Sequence, residues 1–259
     1  MKPVSSAHFT VAIRSRAIRV LAAAALLAAA APGIYAAYRI FRADRIARTD
    51  LTPGGFTAAL RVDPSNSRLW WQRGRLHHFS VEEPDLAKAA DDYRKAVSLN
   101  PRLSQAWVGL SDCLERSGDL AGAERSLERA LSVHRYSHLT RWQAGNFYLR
   151  QGRLQQMYES FKLASQYDPS KLPIAIQVAW KADADQAGIL EKLAPDDADS
   201  CLKYLNFLVS QNELDLAAPV WRRWKAAPVP EGTDPKPSVA FPYVDRLLNA
   251  SRISEALAV

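Results

Sequence analysis

Apolar and polar positions follow two regimes along the 259 residues. From 20 to 38 the chain reads "VLAAAALLAAAAPGIYAAY", 19 residues without a charge. As a helix this stretch spans roughly 28 Å, close to the ~30 Å hydrocarbon core of a bilayer. Tyr35 and Tyr38 stand at its far end, where amphipathic rings favour the headgroup level. Pro32-Gly33 interrupts it, a fault that membrane helices tolerate. Past residue 50 apolar residues recur at three- and four-residue spacing between polar breaks, which predicts a series of short amphipathic helices.

The segment "GNFYLRQGRL" (145–154) tests that prediction, because it sets two glycines seven apart within a helical pattern. Each costs roughly 1 kcal/mol against alanine in a helix interior. A phosphate-binding loop is excluded: no lysine followed by Ser or Thr comes after the second glycine, and no strand precedes the first. Periodicity supplies the explanation. Set 34 residues apart, Gly118 aligns with Gly152, Leu114 with Tyr148, Leu127 with Phe161 and Ala130 with Ala164. An earlier copy fits through Trp70, Gly74, Ala89, Tyr93, Ala96 and Pro101 if three residues near 82–84 are an insertion. Phe56, Ala59 and Pro64 fit the second half of one more unit.

This spacing resembles the tetratricopeptide repeat, a 34-residue helix-turn-helix with the pattern W-x2-L-G-x2-Y, then A-x3-F, then P. Trp107, Leu110, Ser111, Ala123, Leu127 and Ala130 match in one copy, and Gly145, Tyr148, Phe161, Ala164 and Pro169 in the next. Ser111, Met157 and Arg135 depart from it. The resemblance implies an all-α fold: a right-handed superhelical solenoid of antiparallel helix pairs, here preceded by one N-terminal transmembrane helix. Within it Gly145 lets the partner helix approach, and Gly152 ends the first helix in the left-handed conformation. The expected organisation is a basic tail over 1–16, the transmembrane helix with its juxtamembrane extension over 17–48 and repeats over 49–225. A proline-rich loop follows over 226–238, then an incomplete terminal repeat over 239–259. Within the repeats, "LPIAIQVAWKADADQAGILEKL" reads as a shortened pair, and "DSCLKYLNFLVSQNELDLAAPVWRRW" restores the normal length. The chain stops about two turns into its last helix, as an incomplete reading frame would.

Charge alters the picture only once it is located. Of the net +7, residues 1–50 contribute +6, leaving 26 basic and 25 acidic residues in the rest. A nucleic-acid binder carries its basic stripe on the folded body. Here the excess brackets the apolar run, so the partner is a lipid bilayer reached through residues 20–38, and nucleic acid is excluded. A cleaved signal peptide is the alternative, with 20–30 as its apolar region and 28–30 as its small-residue site. The flanking charges favour a single-pass anchor with the body on the extracytoplasmic, periplasmic side. Cys113 and Cys201 lie in apolar helical patterns and read as buried thiols, not as a disulfide framework.

Candidate chemistry is sparse. His77 and His78 point about 100° apart on a helix and cannot share a metal. The pairs Asp91-Asp92, Asp183/Asp185 and Asp196-Asp197 read as helix starts or solvated faces. Neither a Ser-His-Asp context, a Cys-x-x-Cys pair nor a Gly-rich dinucleotide turn occurs. The chain is therefore read as non-enzymatic, with no catalytic residue, cofactor or metal. The resemblance instead implies binding of a protein or peptide in a concave groove lined by first helices. Carried onto this chain, that face comprises Arg68, Trp71, Arg75 and His78, then Gln105, Val108, Asp112 and Arg116, then Trp142, Asn146 and Arg150. A two-carboxylate clamp is not implied, because Trp71 and Leu139 replace its lysines and Gly109 an asparagine. The expected role is a membrane-anchored scaffold in an envelope-associated assembly. A released accessory subunit, or the N-terminal part of a longer enzyme or transport component, is the alternative.

Overall fold

The computed structural model describes residues 15–81, 83–193, 197–226 and 241–259, and every regular element among them is helical. Most of the basic tail and, beyond Ala226, the proline-rich loop lie outside the described residues, as does Asp196. The chain forms two compact units, residues 1–101 and 102–259.

In the first unit one helix, α1 (Arg16–Thr49), holds the whole apolar run and continues past it. The run is bare: Val20, Leu21, Leu26, Leu27 and Ile34 are each 64–72% exposed. By length and composition this helix is able to cross a membrane, a test that a signal sequence also passes. Five residues beyond Tyr38 the same helix is part of a packed pair. Ala43 and Ala47 share a face and are buried with Phe56, Ala59 and Leu60 of α2 (Pro53–Val62). Their small side chains let the second helix lie close. Thr52 caps α2 by accepting the Gly55 N–H at 3.2 Å, and Pro53 occupies the first turn, where a missing N–H costs nothing. Arg39 donates to the Val62 carbonyl at 3.2 Å and to the Asp63 carboxylate at 2.9 Å, tying the carboxyl end of α2 to α1. The first pair therefore begins inside α1, and the expected boundary at 49 is corrected: the helix with the apolar run is also the first helix of the first pair.

The next pair is α3 (Ser67–His78) and α4 (Leu86–Leu99), capped by Asn66 and Asp85. A Cβ on Gly74 would stand 3.0 Å from the Tyr93 ring, so the missing side chain makes room for the aromatic one. Arg73 links three helices by donating to Thr57 at 3.0 Å and to both oxygens of buried Asp92 at 2.9 and 2.6 Å.

The second unit opens with α5 (Ser104–Arg116) and α6 (Leu120–Val133), followed by α7 (His138–Arg150) and α8 (Leu154–Tyr167). Each element of the second pair starts 34 residues after its counterpart. The α7–α8 contact repeats the α3–α4 device, because a Cβ on Gly145 would run into the Phe161 ring. The pair between departs in a matched way. Ser111 replaces glycine, Leu127 replaces the aromatic ring, and the serine hydroxyl bonds to the Ala123 carbonyl at 2.8 Å.

A shortened pair comes next: α9 (Leu172–Ala182) is normal, but α10 (Ile189–Leu193) is little more than one turn. A polar staple holds it. Asp183 accepts from Tyr158 at 2.8 Å and from Lys192 at 2.9 Å, Lys192 also donates to Asp185 at 2.9 Å, and Tyr204 donates to the Gln186 carbonyl at 2.7 Å. Normal length returns with α11 (Ala198–Gln211) and α12 (Leu214–Ala226), then α13 (Phe241–Asn249) and α14 (Ile253–Ala258). Met157, Phe161, Ile176, Tyr204, Leu208, Trp221 and Leu247 share the main core of this unit, and both cysteines are buried.

One turn recurs through this unit. Two residues ahead of the second helix stands a left-handed residue: Gly118 (φ 89°), Gly152 (φ 68°), Asn212 (φ 64°) and Ser251 (φ 60°). The next N–H closes onto the carbonyl five residues back, at 2.9 Å each time: Asp119 to Leu114, Arg153 to Tyr148, Glu213 to Leu208, Arg252 to Leu247. This closure satisfies carbonyls that a helix end leaves without partners. In the first unit the equivalent bond runs from Asp85 to His77, also at 2.9 Å. The three-residue insertion thus falls, in sequence, between an unchanged donor and acceptor.

Candidate partner-binding faces

The residues expected on the binding face take different environments. In the first unit Arg68 and Arg75 are exposed, and Trp71 is half-buried on the same stripe of α3. The Arg75 guanidinium lies 5.2 Å from the centre of the Trp71 ring, a cation–π contact that leaves the charge accessible. Neither arginine forms an ion pair with a carboxylate among the described residues.

His78 is a correction. Its side chain is 2% exposed, with Nδ1 3.3 Å from the Tyr93 hydroxyl, so it belongs to the packing of α3 on α4. The register explains the error. Arg116 and Arg150 stand eleven positions after Gln105 and Leu139, and the same step from Arg68 reaches Phe79. That ring is 61% exposed and stacks on His78 at 4.1 Å. The signal for Phe79 was present in the spacing, but it falls one residue beyond the helix and beside the insertion.

In the second unit the polar members of the set largely neutralise one another. Arg150 donates to both oxygens of Glu115 at 2.8 and 2.6 Å, and Gln151 adds a third bond to Glu115 at 3.1 Å. The Glu115 bond raises the Arg150 pKa above its ordinary value. Arg116 pairs with Asp112 at 3.0 Å, four residues back on α5. Between α5 and α7, Asp112, Glu115 and Arg150, with Val108, Gln143 and Phe147, line a cavity of about 20 Å³, room for about one water. Gln105 is exposed and Asn146 half-buried. Trp142, placed on the binding face by the resemblance, is half-buried and lies 4.5 Å from the Phe161 ring of α8, so it also packs within its own pair.

Glu115 was missed by sequence reading because an acid near a helix end looks like ordinary solvated surface. Only the neighbouring helix reveals its partner. Among the described residues no group of three or more His, Cys, Asp or Glu side chains could hold a metal ion. Asp92 is tied to Arg73, and Asp183 with Asp185 to Lys192, so these acids act as structural anchors.

Helix pairs of this length, period and turn have the tetratricopeptide form. No family model matches the chain. Over 74 residues it is 39% identical to the probable biofilm formation methyltransferase WspC of Pseudomonas putida. That match takes in 29% of this chain and spans only 17% of the relative's length. Among solved structures, Pseudomonas aeruginosa pilF is 17% identical with a TM-score of 0.42, over 76% of this chain and 88% of that one. YrrB, described as a TPR protein with an unusual peptide-binding site, is 14% identical with a TM-score of 0.40, over 78% and 87%. Yeast Tom70 is 14% identical with a TM-score of 0.46, over 80% and 44%.

Proposed function

We propose that the chain is a membrane-anchored scaffold, without catalytic activity of its own, that holds a protein or peptide partner in an envelope-associated assembly. The repeat body stands on the extracytoplasmic side. The observation that carries the binding role is the stripe of Trp71 and Arg75 on α3 with Phe79 just past its end, where an arginine without a carboxylate partner among the described residues lies against accessible aromatic surface. Aromatic and arginine side chains are the types enriched in binding hot spots. An acidic segment with an apolar or aromatic side chain fits this stripe best. Anchoring is supported by the bare apolar run of α1, since a helix of a soluble core would be covered.

Trp71→Ala combined with Arg75→Gln should weaken capture of the native partner at least tenfold, with the circular dichroism spectrum unchanged. Undiminished capture would remove the α3 stripe from the binding role. The intact mass of membrane-extracted protein decides the anchor: loss of the first ~30 residues would identify a cleaved signal instead.

A second reading, that these repeats serve as the non-catalytic portion or partner of an enzyme, is favoured by the 74-residue match to a protein named as a methyltransferase. Co-purification of a methyl-transfer activity with the intact chain would support it.

A further inference from the structure

The anchor reading has a geometric consequence in the first unit. The apolar run ends at Tyr38, and the next residue, Arg39, is already bonded to Val62 and Asp63. Because α2 runs back alongside α1, its carboxyl end and the turn into α3 stand at the height of Arg39. No linker intervenes, since α1 is one uninterrupted helix and Ala43 is fully buried in the first pair. A headgroup layer is roughly 5–8 Å deep on each side of the hydrocarbon. Arg42 lies about 6 Å along the helix from Tyr38, Arg61 is one residue before the tethered end of α2, and Arg68 is in the first turn of α3. All three are exposed, and none is paired with a carboxylate among the described residues. Asp63, the acid in the turn between α2 and α3, is buried and accepts bonds from Arg39 and Ser65.

We propose that the first helix pair is seated in the headgroup layer and that Arg42, Arg61 and Arg68 bind the phosphates of anionic phospholipids there. This rests on the anchor reading. The three guanidiniums form a basic collar around the point where the span leaves the bilayer. Planar donors of this kind match phosphate oxygens in pairs. Arg39 is set apart from the three, because its Nε and Nη2 are bonded to Val62 and Asp63. It positions the collar.

The test uses the full chain reconstituted in vesicles of phosphatidylcholine with phosphatidylglycerol. Resistance to an alkaline wash and flotation with the vesicles come first; release by the wash sinks the anchor reading and this proposal with it. For protein that floats, a fluorophore at Ser65→Cys should be quenched by a headgroup-attached nitroxide lipid. The same fluorophore at Val81→Cys, three residues past the far end of α3, should be unaffected. Equal responses at the two sites would overturn the seating while leaving the anchor intact. Phosphatidylglycerol should co-extract with the wild type at least about fivefold above its bulk ratio, the weight of a single arginine at an anionic surface. The Arg42→Gln/Arg61→Gln/Arg68→Gln variant should lose that enrichment, as should the wild type in 1 M salt, with its screening length of about 3 Å. Enrichment that survives in the folded variant would overturn the lipid-binding role.

Discussion

Gly145 and Phe161 act as one unit, since the ring occupies the space a side chain at 145 would need. Gly145→Ala should therefore cost about 1–2 kcal/mol in urea denaturation, the overpacking penalty outweighing alanine's helix preference. Joining Gly145→Ser with Phe161→Leu copies the Ser111 and Leu127 arrangement of the preceding pair and should recover part of the loss. Additive single effects would contradict this coupling. A second residue-scale outcome concerns Asp183, whose carboxyl is held at about 2 by the Asp185 N–H, Lys192 and Tyr158. Its folded pKa is depressed from the ordinary value near 3.9. The stability it contributes is therefore full above about pH 4 and is lost as pH falls toward 2. The urea midpoint should drop across that window, and Asp183→Asn should flatten the drop. At this scale the sequence was half legible. The glycine's purpose followed from the repeat, but the burial of His78 and the packing of Trp142 depended on which neighbour each side chain meets. Spacing along one helix does not encode that.

Among the elements, the turn is more constant than the helices it joins. Gly118, Gly152, Asn212 and Ser251 take the same left-handed conformation before closing bonds of the same length. A β-carbon in that region costs about 1–2 kcal/mol, less for asparagine. Ser251→Gly should therefore raise stability by up to about 1 kcal/mol, and Asn212→Gly by less, both read from the thermal midpoint. Gly152→Ala should do the reverse. The 34-residue period made these elements readable in advance, down to the shortened pair and the insertion. Hidden from the sequence was the first helix of the first pair, because the apolar run on the same helix masks it. Ala43 and Ala47 look like its continuation, and only the apolar face of α2 gives them a different purpose.

For the molecule as a whole, the order of bare apolar helix and then tandem pairs was legible from hydropathy and period together. The distribution of charge over the candidate binding face was not, because ion pairs such as Arg150 with Glu115 join residues 35 positions apart. In the first unit the continuity of α1 through the last residue of the apolar run has a mechanical meaning. On the proposed anchoring, a span longer than the local hydrocarbon tilts to match it. With Arg39 clasping the end of α2, and Ala43 and Ala47 packed, the tilt has no joint beyond Tyr38 in which to relax. Changing acyl-chain length in nanodiscs should swing α2 by the same angle as α1, measurable by distances from a spin label at Thr57→Cys to the bilayer surface. The first helix pair would then register bilayer thickness as an angle.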